Sequence, residues 1–286
     1  MNDASLFFDS WELFEPGVLA GVIVGATLGL LGVYVVLRRL VFLSAAVGQT
    51  ASFGVVLALY LATLSSAWWV PSPAVGAVLV TFAGTLFVAR RTRRSEVVRD
   101  GLLGGMFLLG AAGTVLLGSH LPQEMHEIEA LLHGVGVSVE PSDLTLVAAL
   151  GGFVLFVHAL GWRAFAAVAF DPIGAQVRRV PVRVVDIALA LTLALAIAAG
   201  IRALGALPVF ALSILPSLAA IRLARTLPGA LVLGALLGAA TGFIGYFVAF
   251  LFDLPVGASQ TAVAILVALL VELGRAVVGL ARGREG

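Results

Sequence analysis

Charged residues in this chain are spaced so that long uncharged, apolar runs recur from end to end. That spacing constrains the fold more than any other feature. A helix needs about 20 apolar residues to cross the hydrocarbon of a bilayer. Residues 16–37 carry no charge, nor do 40–89, which hold two such lengths hinged at Trp68-Trp69-Val70-Pro71-Ser72-Pro73. Further uncharged runs cover 101–123, 144–162, 187–201, 203–221, 226–252 and 254–271. Together they give nine spans, or eight if the short run at 187–201 does not cross; its helix is expected to start near Val184, with Asp186 at the inner interface. The expected fold is all-α, a polytopic transmembrane helical bundle with no soluble domain of any size. Composition agrees: 61% of 286 residues are hydrophobic and 12% charged, where soluble domains are roughly half apolar and about a quarter charged.

The arginines then orient the spans. With the N-terminus outside, sixteen of the seventeen basic residues, all arginine, fall on inner loops, and only Arg202 lies outside. Acidic residues lean the other way: Asp3, Asp9, Glu12, Glu15, Glu124, Glu127, Glu129, Glu140, Asp143 and Asp253 all fall outside. This satisfies the positive-inside rule and favours an odd number of spans with a cytoplasmic C-terminus. Residues 1–15 lack the basic start of a signal peptide, and Phe7, Phe8, Trp11, Leu13 and Phe14 suit an amphipathic segment in the membrane interface. A frayed acidic tail fits those residues as well. Glycines repeat at helical spacing, as at Gly101, Gly104, Gly105, Gly110 and Gly113, and at Gly234, Gly238, Gly242 and Gly245. Small residues at that interval let helices approach closely in lipid.

Several function classes are excluded. A net charge of +1 gives no nucleic-acid footprint, and the absence of cysteine removes disulfides and thiolate metal sites. No GxSxG, HExxH or Gly-rich phosphate loop ending in Lys occurs, so no catalytic residue is expected. His158, four residues before Trp162, reads as interfacial rather than as a mid-membrane proton carrier.

Polar residues inside spans are few. Ser44, Gly48 and Ser52 recur every four residues and share a face, with Gln49 beside it. Gln is costly against lipid, so this face is expected to line a cavity or a helix interface. A plain interhelical hydrogen bond explains it equally well. Ser213, Pro216 and Ser217 form a second cluster, where a mid-span proline predicts a broken helix. His120, His126 and His133 lie among carboxylates in the outer region 120–143; a divalent-cation site fits them, but an exposed acidic loop needs no such explanation. In the inner segment 163–183, Asp171-Pro172 suit an N-cap followed by proline at the first helical position, predicting a short amphipathic cytoplasmic helix.

These residues, read in order, resemble the permease subunits of binding-protein-dependent ABC transporters for zinc, manganese or iron, over about residues 16–272. Gly29-Leu30-Leu31-Gly32 through Val36-Leu37-Arg38-Arg39 is similar to that family's first span and its Leu-Arg-Arg exit. Phe170-Asp171-Pro172 with Ala175 and Val180-Pro181-Val182 resembles its coupling helix. Leu131-Leu132-His133-Gly134 resembles an outer motif, with His133 where Phe is more usual, and Pro141-Ser142-Asp143 opens the next span. Pro216-Ser217 resembles the broken helix, and Asp253-Leu254-Pro255 with Gly257 the last outer turn. One departure stands out. The family's second span carries an Asp and, four residues on, a His, both implicated in metal passage; the matching positions here are Ala45 and Gln49.

The resemblance implies an importer subunit in the cytoplasmic (inner) membrane of a bacterium, with zinc first among cargoes, then manganese or iron. It implies a pathway touching Ser44, Gln49, Ser52, Ser213, Pro216 and Ser217, and an ATPase contact at Phe170, Asp171, Pro172 and Ala175. Partners implied are a second permease subunit as homodimer, separate ABC ATPase subunits that hydrolyse ATP, an extracytoplasmic substrate-binding protein and membrane lipid. The chain itself is expected to bind no cofactor. The domain division expected is an interfacial segment 1–15, a permease domain 16–281 and a cytoplasmic tail 282–286. The alternatives are an ATPase-independent carrier or channel, a permease diverged to a non-metal cargo and, from another class, an intramembrane enzyme, which the lack of a nucleophile–base pair disfavours.

Overall fold

A computed structural model of the protein describes residues 7, 11–65, 70–91, 96–121, 128 and 139–282. Among them there is no strand, and nine helices are long and apolar enough to cross a membrane. In chain order the helices are α1 (Trp11–Leu37), α2 (Val41–Leu64), α3 (Pro73–Arg91), α4 (Glu96–Gly118) and α5 (Pro141–Phe170). A short α6 (Pro172–Val177) follows, then α7 (Val182–Leu204), α8 (Ala206–Leu223), α9 (Leu227–Phe252) and α10 (Val256–Arg282). All but α6 are spans, and each matches one uncharged run of the sequence, including the short one at 187–201. The chain is a multi-pass membrane protein. Helix α1 already runs from Trp11, and Phe7 is fully buried against Phe14, Phe247 and Phe250.

The bundle is organised around α1, which packs against α9, α8, α5 and α7. Glycine makes the closest of these contacts possible. Gly21, Gly25 and Gly29 on α1 face Gly242, Gly238 and Gly234 on α9, and the backbones touch. A Cβ at Gly25 would lie 2.2 Å from the Gly238 carbonyl oxygen, and one at Gly29 2.1 Å from that of Gly234. In lipid, where apolar burial no longer separates protein from solvent, such backbone packing supplies much of the association. The other glycine run divides. Gly110 and Gly113 of α4 press on Gln49 and Phe53 of α2, whereas Gly101, Gly104 and Gly105 have nothing within 4 Å.

Ion pairs mark the two ends of the bundle. At one end Arg38, just past α1, donates through Nη2 to Asp186 Oδ1 of α7 at 2.6 Å and through Nη1 to the Val168 carbonyl of α5 at 2.8 Å. At the other, Arg202 of α7 reaches Asp143 of α5 at 3.3 Å. Arg222 of α8 pairs with Glu272 of α10 at 2.8 Å, and Arg275 donates to the Arg222 carbonyl. Arg38 thus ties together three helix ends with two charge-assisted bonds. Arg38→Ala is expected to lower stability by about 1–3 kcal/mol, because it strands Asp186 and the Val168 carbonyl. Thermal unfolding in detergent measures this, and an unchanged melting temperature would show the pair to be idle.

His158, expected near the membrane interface from its distance to Trp162, is enclosed between helices. It is 2% exposed, stacked on Phe165 at 4.1 Å between ring centres, with its Nε2 2.9 Å from Thr192 Oγ1. The Thr192 hydroxyl gives its proton to the Ala188 carbonyl at 2.8 Å, so the imidazole is the donor. This hydrogen bond to a neighbouring span is what makes the buried position tolerable, and sequence spacing alone does not reveal it.

Candidate functional site

The polar face of α2 opens on a cavity. Ser44, Ala45, Gly48 and Gln49 line a space of about 210 Å³ closed by Phe107 of α4, Ile197 of α7, and Ala206, Leu207, Val209 and Phe210 of α8. Helix α4 fixes this face, because Gly110 lets its backbone reach Gln49: a Cβ there would stand 2.6 Å from the Gln49 carbonyl carbon. Neighbouring hydroxyls are spent within α2 itself. Thr50 donates to Ala46 O at 2.8 Å and Ser52 to Gly48 O at 3.3 Å, so Ser52 sits beside the cavity without lining it. Ser44 is 1% exposed and its Oγ has no hydrogen-bond partner. The cavity therefore offers one unpaired hydroxyl, one amide and an apolar wall. Among the described residues no carboxylate or imidazole lines it, and neutral oxygens alone hold divalent cations weakly. Among the described residues no group of three or more His, Asp or Glu is placed to hold a metal ion.

Ser213, Pro216 and Ser217 lie elsewhere, on the face of α8 that meets α1. Ser217 donates to the Gly29 carbonyl at 2.8 Å, and Ser213 to Phe210 O at 2.8 Å. The helix is not broken at Pro216, contrary to expectation; α8 continues from Ala206 to Leu223. Proline costs one backbone bond, but this turn is clamped against α1 at Gly32, where a Cβ would lie 2.0 Å from Ser213 O. The interruption falls instead at Gly205, whose φ of 91° suits glycine and separates α7 from α8. Of the six residues named for a pathway, then, Ser44 and Gln49 share a cavity, Ser52 adjoins it, and the α8 cluster packs between helices.

A second region stands at the end of α5. Thirty residues at about 1.5 Å each give α5 a length of about 45 Å, well beyond the ~30 Å hydrocarbon core. Asp171 stops it and starts α6: its Oδ1 accepts from Gly174 N at 2.9 Å, and Pro172 fills the first helical position. The far end closes equally tightly. Val180 N donates to Ala175 O and Arg179 N to Gln176 O, both at 2.9 Å, with Arg179 left-handed at φ 61°. So capped, α6 turns Ala175 inward, 2% exposed, and projects Ile173 and Val177 outward, 77% and 81% exposed. Phe170, 65% exposed, continues the same apolar patch.

Ile173, Val177 and the Arg38–Asp186 pair are features that the motif reading passed over. The first two are signalled by their four-residue spacing on a helix too short to score as amphipathic. Nothing in the sequence pairs Arg38 with a residue so far along the chain. His120, just past α4, turns back on it, with its Nδ1 3.0 Å from Leu116 O. His126, His133 and the Leu131-Leu132-His133-Gly134 motif lie outside the described residues.

The chain is similar over nearly its whole length to known transport proteins. It is 27% identical to the manganese transport system membrane protein MntC of Halalkalibacterium halodurans, covering 92% of this chain and 89% of that one. It is 26% identical to the chelated iron transport system membrane protein YfeD of Yersinia pestis, covering 91% and 84%. Its fold matches the solved structure of PsaBC from Streptococcus pneumoniae in complex with Fab, with a TM-score of 0.81 at 19% identity over 94% of this chain and 95% of that one. The model of the ABC 3 transport family matches residues 10–274, and the chain belongs to that family.

Proposed function

We propose that this chain is the membrane-spanning permease subunit of an ABC importer for a metal cation. The observation that carries the reading is α6: a short, doubly capped helix at the end of a span, presenting Phe170, Ile173 and Val177 as an apolar patch. A short helix packed against α5 and α7 transmits a partner's push into the bundle. Separate ATPase subunits supply the push; a second copy of the permease and an extracytoplasmic binding protein complete the assembly. Arg38, Arg163, Arg178 and Arg183 lie with α6 on the cytoplasmic side, as the positive-inside rule requires. On this reading 16–281 forms the permease domain, with 1–15 before it and the tail 282–286 in the cytoplasm.

Manganese and iron come ahead of zinc as cargoes, because the names of the relatives carry manganese and chelated iron. The cavity beside Ser44 and Gln49 is the gated compartment. Ala45 and Gln49 provide no anionic ligand there, so the cation passes with its own ligands or waters retained. The double substitution Ala45→Asp with Gln49→His restores a carboxylate and an imidazole one helical turn apart. It is expected to raise manganese affinity of the purified chain by about tenfold or more, the scale of one added charged ligand. Isothermal titration measures this. Equal affinity in both proteins would remove the cavity from the pathway. Purification in detergent from the native membrane tests the partner: an ATPase of separate sequence comes down with the chain, and its absence favours an ATPase-independent carrier or channel.

A further inference from the structure

The end of the bundle that carries Arg38 holds a second, larger cavity, about 330 Å³, which is within the range of small-ligand sites. Its walls come from the turn after α1, the last turn of α3, the first turns of α4 and α7, and α6. Among the described residues Arg38, Arg99 and Arg183 line it with one carboxylate, Asp186; Arg38 pairs with Asp186 and Arg99 with the neighbouring Asp100 at 3.2 Å, so Arg183 leaves the lining positive. Gln176 of α6 adds an amide, and Thr85 of α3 a hydroxyl. Thr85 is 1% exposed and its Oγ1 has no partner. Most threonines in these helices behave otherwise: the hydroxyls of Thr27, Thr50, Thr114, Thr192 and Thr241 return to the carbonyl one turn back. Thr81, one turn before Thr85, is unpaired too, but it does not line the cavity. Arg183, the remaining N–H donors of Arg38 and Arg99, an amide and an unpaired hydroxyl form a donor-rich concave site. Such a site matches a group with several anionic oxygens.

We propose that this cavity binds a phosphate group, and that a bound phosphate ties α3, α4 and α7 to α6. Guanidinium groups recognise phosphate through paired N–H donors, and basic pockets between membrane helices take up lipid headgroups in this way. The phosphate comes either from an anionic lipid headgroup or from a soluble anion. The proposal does not depend on the transport reading, because it is tested by binding alone. The full chain is placed in nanodiscs of phosphatidylcholine with and without phosphatidylglycerol, and separately titrated with inorganic phosphate and pyrophosphate in lipid-free detergent. The readout is thermal stabilisation as a function of concentration.

Saturable stabilisation by phosphatidylglycerol alone assigns a headgroup, and by the soluble ions alone a free anion. In either case Arg183→Gln and Thr85→Val are expected to weaken it about tenfold, the loss of one directed contact. Arg183 is exposed, and Thr85→Val preserves shape, so both variants fold. Arg225→Gln, an exposed arginine outside the cavity, is expected to change nothing. No stabilisation by either source overturns the proposal. So does wild-type affinity in Arg183→Gln or in Thr85→Val, and so does an equal loss in Arg225→Gln, which would mark diffuse charge attraction.

Discussion

Ile173→Arg is expected to abolish ATP-driven uptake while leaving the protein inserted and folded. Ile173 is 77% exposed and makes no part of the core, so the substitution falls in the surface class that shifts stability by about 0.5 kcal/mol or less. In a docked complex its burial would contribute about 1.5–3 kcal/mol, and a buried guanidinium without a partner would add a penalty. Docking is then weakened by about 30-fold or more, enough to empty the complex at ordinary subunit concentrations. Phe170→Arg acts in the same direction, since Phe170 extends the same patch. Asp171→Ala removes the cap on Gly174 N and loosens α6 by about 1 kcal/mol, so a partial loss is expected. The check is paired: uptake by cells carrying each variant, and recovery of the ATPase with the purified chain. Normal uptake by Ile173→Arg would show that α6 is not the contact.

Gly238→Leu is expected to prevent the bundle from closing at all. A Cβ at Gly238 stands 2.0 Å from the Gly25 carbonyl oxygen, and the atoms beyond it have no flexible neighbour to displace. Helices α1 and α9 must separate along a seam that also contains Gly21 with Gly242 and Gly29 with Gly234, so all three contacts loosen together. Overpacking of one site costs about 1–3 kcal/mol, and opening a whole seam in lipid costs more, because close backbone packing is what holds it. The expected result is protein that is degraded in cells or melts far below wild type in detergent. Gly101→Leu is the matched control. Nothing lies within 4 Å of its Cβ, and it is expected to melt as wild type does. If the two variants behave alike, the seam is not what holds α1 in place.

The fold was legible because its rule is one-dimensional. A span is a run without charge, and the gaps between charges mark nine of them without any knowledge of contacts. The cap at Asp171 and the seam glycines at 234, 238 and 242 were legible for the same reason, each being local in sequence. What escaped depends on pairs that distance along the chain conceals. The enclosure of His158 shows only when Thr192 of a neighbouring helix and Phe165, two turns further along its own helix, are brought to it. Pro216 looks like a helix break until α1 is seen to hold that turn, while Gly205, one glycine among many, makes the interruption. The candidate cavity was half legible: the four-residue repeat of Ser44, Gly48 and Ser52 identifies a polar face, but only packing shows that Ser52 is satisfied within its own helix and Ser44 is not.

The central claim is that this bundle moves its cargo only when another protein drives it. Manganese uptake into proteoliposomes tests that directly, with the chain reconstituted alone, with its co-purified ATPase, and with that ATPase held by a non-hydrolysable ATP analogue. The account predicts uptake only in the second case, dependent on ATP hydrolysis. Equal uptake by the chain alone would contradict it and leave a self-sufficient carrier or channel.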